Sequence, residues 1–107
     1  MDFKDYQKKA RTTALYPDKY KVFYPVMGMG GEVGEFMNKV GKSMRGDREI
    51  DSLDKEEIAK ELGDVLWFLS QTCTDFGLDL DRIATQNIEK LGSRAARGKI
   101  MGDGDNR

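Results

Sequence analysis

The sequence predicts an all-α protein of four helices, and three features of it support that prediction. Apolar residues recur at steps of three and four along most of the chain, which is the period of a helix that buries one face. No run alternates apolar and polar residues over the length of a strand, and only two prolines occur in 107 residues. A composition of 38% apolar and 35% charged residues also fits amphipathic helices.

The first helix is predicted from Asp2 to Leu15, and it is followed by an irregular segment. Its apolar positions lie three or four residues apart, at Phe3, Tyr6, Ala10 and Ala14. Tyr16-Pro17-Asp18 is a turn sequence that ends the helix. The aromatic stretch from Tyr20 to Pro25 is predicted to be a loop.

The second helix is predicted from Val26 to Met44. One apolar stripe runs along it, formed by Val26, Met29, Val33, Phe36 and Val40. Five glycines oppose this prediction, because each costs about 1 kcal/mol relative to alanine inside a helix. We expect close approach of another helix or of a ligand to offset that cost. The alternative is that Met27 to Gly31 forms a loop.

The third helix is predicted from Lys55 to Phe76, after a polar connection from Gly46 to Asp54. Asp54 is the predicted N-cap, with Glu57 as its capping-box partner. The main apolar stripe consists of Ile58, Leu62, Val65, Leu66, Leu69, Cys73 and Phe76. Trp67 and Phe68 lie off that stripe, so the helix is apolar almost all round. A partner subunit is the simplest way to bury the second apolar face, since a chain of this length has few other residues that could pack against it.

Gly77 is the predicted C-cap of the third helix, and a fourth helix is predicted to begin at Asp79 or Asp81. Its C-terminal part is basic, with Lys90, Arg94, Arg97 and Lys99. The Gly-rich end of the chain is predicted to be a flexible tail, so the domain covers residues 1–101 and the tail residues 102–107.

Charge and cysteine content restrict the classes of partner and of chemistry. A net charge of −1 provides no basic field for a nucleic-acid polymer or an anionic membrane, and we expect neither as a partner. No apolar run reaches transmembrane length and no signal peptide is present. The single Cys73 is expected to be buried, in a cytoplasmic protein.

Two acidic pairs of equal spacing point to a metal site. Glu32 with Glu35 and Glu61 with Asp64 each place two carboxylates one turn apart on a helical face. If the second and third helices pack antiparallel, all four converge, and four oxygen ligands suit Mg²⁺, with Mn²⁺ able to substitute. The chain contains no histidine, which excludes histidine-based zinc sites and Ser-His-Asp triads. Mg²⁺ held by carboxylates is suited to phosphoryl chemistry on a nucleotide.

A polyphosphate substrate also requires cationic donors, and two helices offer them. The candidates are Lys39, Lys42 and Arg45 on the second helix and Lys90, Arg94 and Arg97 on the fourth. Asn87 is a candidate for reading a base edge. Trp67 either stacks on a base or packs in the core. For each of these cations, and for Asn87, the alternative is an ordinary exposed side chain that does not contact substrate.

The segments Gly31-Glu-Val-Gly-Glu-Phe36 and Lys60-Glu-Leu-Gly-Asp-Val-Leu-Trp-Phe-Leu69 strongly resemble the MazG-like all-α nucleoside triphosphate pyrophosphohydrolases. Asn87-x-x-Lys90 and Arg94 extend the resemblance, which spans roughly Met27 to Arg97. The C-terminal sequence is similar to short single-domain members, some of them encoded by phages.

This resemblance implies a four-to-five-helix bundle completed by homo-oligomerisation, as a homodimer or homotetramer. It implies hydrolysis of (deoxy)nucleoside triphosphates to monophosphate and pyrophosphate, with a role in clearing nucleotide pools, in the host cytoplasm if the protein is phage-encoded. Glu32, Glu35, Glu61 and Asp64 match the family's Mg²⁺ ligands, and Asn87, Lys90 and Arg94 fall where relatives contact nucleotide.

Two alternative functions remain open from the sequence. The chain is either a non-catalytic helical interaction module or a related enzyme acting on another substrate, as a dUTPase, a phosphoribosyl-ATP pyrophosphohydrolase or an alarmone hydrolase.

Overall fold

The computed structural model describes residues 1–46 and 55–107, and these residues are all-α, as predicted. Within them lie four α-helices and one short 3₁₀ helix at Asp18–Tyr20, with no strand. The α-helices are α1 (Phe3–Arg11), α2 (Phe23–Arg45), α3 (Lys55–Asp75) and α4 (Leu80–Ala96). The predicted connection from residue 47 onward, and the predicted N-cap Asp54 with its capping box to Glu57, depend on residues 47–54, which lie outside the described residues.

The helix α1 is shorter than predicted, because it ends at Arg11 and not at Leu15. Asp2 caps its N-terminus by accepting a hydrogen bond from the Asp5 N–H at 2.8 Å. At the other end the Thr12 and Thr13 hydroxyls each donate to a carbonyl three residues earlier, at 2.7 Å. These hydroxyls satisfy carbonyls of the last turn, so the chain is free to leave the helix before the Tyr16-Pro17 turn.

The helix α2 begins three residues earlier than predicted, at Phe23, so the prediction of a loop up to Pro25 was wrong. Proline is tolerated here because the N–H groups of the first helical turn have no partner within the helix. The preceding Val22 has a positive φ of 69°, which is unusual for a β-branched residue. Its N–H donates to the Asp75 carboxylate at 3.0 Å, and this contact holds the entry of the helix in place.

Glycines do not interrupt α2, so the alternative of a loop at Met27 to Gly31 was wrong. At Gly28 the expected close approach is present, since a Cβ there would clash with the Phe68 ring of α3. Apart from chain neighbours and the nearby backbone of α2 itself, no atom of the described residues lies within 4 Å of a Cβ built at Gly30, Gly31, Gly34 or Gly41. Close packing within this chain therefore explains one of these glycines and leaves the others facing outward.

The turn between α3 and α4 follows the predicted chemistry. Gly77 has a φ of 72°, and the Leu78 N–H donates to the Cys73 carbonyl at 2.7 Å, which is a glycine C-cap motif. Asp79 then caps α4 through a 3.0 Å hydrogen bond from the Asp81 N–H. Of the two predicted starting residues, Asp79 is therefore the N-cap.

A buried polar cluster ties α1 and the start of α2 to the end of α3. The Asp75 side chain is fully buried and accepts from Arg11 Nη1 at 2.9 Å. It also accepts from the Tyr16 hydroxyl at 2.7 Å. Burial alone raises the pKa of Asp75, but the hydrogen bonds from Val22, Tyr16 and Arg11 lower that pKa below its ordinary value.

The apolar core of the described residues is small. Its buried apolar side chains are Ala10, Cys73 and Leu80, and Pro25 at the start of α2 is also fully buried. Burial of Cys73 is as predicted, and burial is also the main cause that raises its thiol pKa. Several large apolar side chains of α2 and α3 stay exposed, among them Met27, Met37 and Leu62.

No helix in residues 1–46 and 55–107 combines the length and the apolar character that a membrane span requires.

Candidate metal and nucleotide site

Antiparallel packing of α2 on α3 brings the two acidic pairs together. Gly28 meets Phe68 near the start of α2, and Lys39 meets Glu57 further along it, so the two helices run in opposite directions. Between these two contacts, Glu32, Glu35 and Glu61 each offer one carboxylate oxygen, and these oxygens all lie within 4.8 Å of one another. The equal spacing of the two pairs thus leads to convergence across the helix interface.

Asp64 lies beside these three glutamates, though outside the 4.8 Å group. It follows Glu61 by almost one turn of α3 and lines an open cavity of about 360 Å³ together with Glu32. Thr13, Trp67 and Phe68 complete the lining. The fourth predicted ligand is thus an exposed residue at the edge of the cluster, and it lines a cavity together with two aromatic side chains.

The electrostatics of the cluster favour a cation. Partial burial, followed by the negative charges of Glu35, Asp64 and Glu61, raises the pKa of Glu32. The Glu61 Oε2 atom is buried and has no hydrogen-bond partner among the described residues. An ionised oxygen in that condition is costly unless a cation approaches it. The donor set is all-carboxylate, so these residues fit a hard divalent cation such as Mg²⁺.

Lys39 is the basic residue that the structure places in this cluster, whereas the sequence also offered Lys42 and Arg45 of α2 as candidates. Its Nζ donates to Glu57 Oε1 and to Glu61 Oε1, both at 2.7 Å. These two hydrogen bonds raise the pKa of Lys39 above its ordinary value. The spacing was available in the sequence, since Lys39 follows Glu35 by four residues and therefore shares its face. Lys42 is exposed and makes no ion pair among the described residues.

Trp67 is half-buried at the edge of the cavity, so the structure gives it features of both predicted roles. Its indole N–H donates to Thr13 Oγ1 at 2.8 Å. Its ring packs edge-on against Phe68, with centroids 5.1 Å apart. The indole is thus held in one orientation next to Glu32 and Asp64, which line the same cavity.

The predicted substrate residues of α4 lie at a second place on the chain. Asn87 and Lys90 line a separate cavity of about 330 Å³, which shares no residue with the cavity beside the carboxylates. Lys90 Nζ is 2.8 Å from Asp105 Oδ1. Arg94, whose side chain is only 6% exposed, donates to the Asp105 carbonyl at 2.5 Å. Within one chain, the structure does not bring Asn87, Lys90 and Arg94 to the acidic cluster.

The C-terminal residues make further contacts with the segment that follows α4. Arg107 donates to the carbonyls of Lys99, Ile100 and Gly104. Arg97 in turn donates to the Arg107 carbonyl at 2.8 Å. Together with the contacts of Asp105 with Lys90 and Arg94, these hydrogen bonds hold residues 102–107 beside the end of α4. The predicted domain boundary at residue 101 stays a prediction.

Comparisons with known proteins give a family and one relative of similar length. The sequence model described as the MazG nucleotide pyrophosphohydrolase domain matches residues 26–98. The Gene 37 protein of Mycobacterium phage L5 is 39% identical over 109 residues, which covers 95% of this chain and 96% of the relative. No solved structure was found to match. The matched region begins in α2 and includes both acidic pairs and the basic part of α4.

Proposed function

We propose, because this chain belongs to the MazG nucleotide pyrophosphohydrolase domain family, that it hydrolyses (deoxy)nucleoside triphosphates to monophosphate and pyrophosphate. Glu32, Glu35, Glu61 and Asp64 would hold Mg²⁺, or Mn²⁺ in its place. The observation that carries the proposal is the convergence of three glutamates within 4.8 Å, one of which has a buried oxygen without a partner.

The glutamates of α2 have proposed parts in the reaction. When bound, the metal neutralises phosphate charge. The glutamates of α2 would orient a water molecule toward the α-phosphorus, and one of them would accept its proton. The bond from the α-phosphorus to its bridging oxygen then breaks, and pyrophosphate leaves with the bonding electrons. Partial burial and the neighbouring carboxylates raise the pKa of Glu32, which suits it to this role.

Substrate contacts are proposed for Trp67 and Lys42 near the cluster and for Asn87, Lys90 and Arg94 on α4. Trp67 and Asp64 line one cavity. A nucleotide whose base stacks on the indole would therefore have its phosphates near the carboxylates. The α4 residues line another cavity of the same chain. We therefore propose that a second copy brings its α4 to this site, in a homodimer or homotetramer.

The proposed setting is the cytoplasm, and that of the host if the protein is phage-encoded, as its relative from a mycobacteriophage suggests. There the reaction would clear or adjust nucleotide pools.

A panel of substrates tests this function and separates it from the alternatives. The purified chain is incubated with each common nucleoside and deoxynucleoside triphosphate, dUTP included, with phosphoribosyl-ATP and with a guanosine alarmone. Each reaction is run with Mg²⁺, Mn²⁺ or a chelator, and pyrophosphate and orthophosphate are both measured. We expect pyrophosphate from triphosphates only when a divalent ion is present. Turnover confined to another substrate identifies the neighbouring enzyme class, and no turnover of any substrate identifies a non-catalytic module.

A further inference from the structure

Lys39 contacts the candidate metal site from its outer side. It lies on the same face of α2 as Glu35, and its Nζ bridges Glu57 and Glu61 of α3 at 2.7 Å each. The side chains of Lys39 and Glu61 are 29% and 14% exposed, so this contact is more shielded from water than a typical surface ion pair. Neither partner can rotate freely while both hydrogen bonds are present.

The two oxygens of Glu61 therefore have different environments. Oε1 accepts from Lys39, whereas Oε2 is buried without any donor among the described residues. A partial rotation of the carboxylate would break the 2.7 Å contact, and only a half turn would restore it through the equivalent oxygen. Lys39 thus keeps one oxygen of Glu61 occupied and leaves the other without a donor, in a residue that converges with Glu32 and Glu35.

We infer that Lys39 is a positioning residue, which holds Glu61 in the orientation that binds the divalent ion. This inference rests on the proposed metal-dependent function. Ligating carboxylates in metal sites are commonly held by such outer hydrogen bonds, and loss of one costs about 10- to 100-fold in metal affinity or activity. Glu57 contributes by accepting a second hydrogen bond, which fixes the position of the ammonium group itself.

Lys39 has two other possible roles, and each predicts a different result on removal of its charge. If Lys39 competes with the ion for the carboxylates, its removal tightens metal binding, because a positive charge leaves the site. If Lys39 contacts substrate phosphate, its removal raises the nucleotide KM at saturating metal and leaves metal affinity unchanged. A positioning role weakens metal affinity, and excess metal restores kcat.

The test measures Mn²⁺ binding to the full chain by the loss of the free-ion electron paramagnetic resonance signal, without nucleotide. We expect Lys39→Met to weaken binding about 10- to 100-fold, and Lys39→Arg to restore most of the affinity. Lys60→Met is the matched control, because it removes the same charge from an exposed residue next to Glu61 in the sequence. It should leave Mn²⁺ affinity nearly unchanged. Circular dichroism and melting without metal check the fold, and Lys39→Gln replaces Lys39→Met if the latter fails to fold.

Enzyme assays add the second readout. At low Mg²⁺ the Lys39→Met variant should be slow, and at saturating Mg²⁺ its kcat should approach that of wild type with the nucleotide KM unchanged. Unchanged or tighter Mn²⁺ binding in Lys39→Met overturns the inference. If wild type binds Mn²⁺ and turns over no nucleotide, the proposed function fails while the role of Lys39 stands. If wild type binds no Mn²⁺, both fail.

Discussion

Glu61 is the residue on which the acidic cluster depends most, because among the described residues it is the one member of the three-glutamate group that comes from α3. Lys39 fixes its Oε1, and its Oε2 is buried without a partner in the described part of the chain. Glu32 and Glu35 both come from α2, so Glu61 makes the cluster a contact between two helices. A bound divalent ion would therefore also join α2 to α3.

Replacing Glu61 by glutamine is expected to lower Mg²⁺-dependent pyrophosphate release at least about 100-fold, because a charged ligand and its charge stabilisation are lost together. Asp64→Asn should act in the same direction. Helical content should stay as in wild type, since the amide has the same shape. Glu89→Gln, on the exposed side of α4, is the control. Near-normal turnover of Glu61→Gln at saturating Mg²⁺ would contradict the proposed site.

At the scale of elements, the Asp75 cluster decides how α1 and α2 are joined. Asp75→Asn is expected to lower the free energy of unfolding by about 3 kcal/mol at neutral pH. The substitution removes the buried negative charge and leaves Arg11 without its ion-pair partner. Asp18→Asn is the control, since Asp18 is 93% exposed. Urea denaturation at one fixed protein concentration gives both values.

The pH dependence of this loss follows from the lowered pKa of Asp75. A carboxyl whose pKa is lower in the folded state contributes fully above its unfolded pKa, near 4, and loses its contribution as the pH falls through the folded value. The difference in unfolding free energy between wild type and Asp75→Asn should therefore be constant from about pH 5 to about pH 8, and it should shrink in more acidic buffer. A difference that grows on acidification would show that Asp75 is not stabilised as an ion.

The pairing of Asp105 with α4 gives a second prediction at this scale. The ammonium of Lys90, then the guanidinium of Arg94, lower the pKa of Asp105 and keep it ionised. Substrate phosphate would have to replace this carboxylate at Lys90. Asp105→Asn should therefore lower the nucleotide KM by about two- to fivefold at low salt, and the effect should fade at high salt. Lys90→Ala should raise the KM, in the opposite direction.

Asp103→Asn provides the control for charge, because Asp103 lies in the same exposed segment and makes no hydrogen bond or ion pair with α4. If Asp105→Asn instead raises the KM, the carboxylate holds the cations in place for the substrate. Arg94→Ala is a poorer test, since Arg94 is buried and its loss would also release the C-terminal residues.

At the scale of the whole molecule, α2 presents an outward face made of methionines and glycines. Met27, Gly30, Gly34, Met37, Gly41 and Met44 follow one another at steps of three and four, and all are exposed. Glycines on such a face allow another helix to approach closely. A second copy of the chain would account for glycines that packing within one chain leaves unexplained.

Self-association is therefore predicted, and it has a direct test. Met37, which is 64% exposed, is replaced by glutamate, and sedimentation is measured at micromolar concentration. Wild type should sediment as a dimer or larger species with a melting temperature that rises with concentration, and Met37→Glu should shift it toward monomer. Leu15→Glu is the control, because Leu15 is 90% exposed in the loop after α1. A well-folded wild-type monomer would refute the prediction.

Features that depend on local spacing were determined by the sequence itself. The helical period, the caps at Asp79 and Gly77 and the two acidic pairs at a spacing of three all follow from residues within one or two turns of each other. This is why the fold class and the position of most helices could be predicted. The same local pattern indicated that the acidic pairs could meet, once antiparallel packing was assumed.

Features that depend on residues far apart in the chain were decided only by the tertiary structure. The start of α2 depends on Asp75, which lies 53 residues after Val22. The choice of Lys39 over Lys42 depends on where Glu57 and Glu61 lie across the helix interface. The separation of Lys90 from the carboxylates likewise follows from the placement of α4. Such contacts have no periodic signal in the sequence, because their geometry is set by the packing of whole helices.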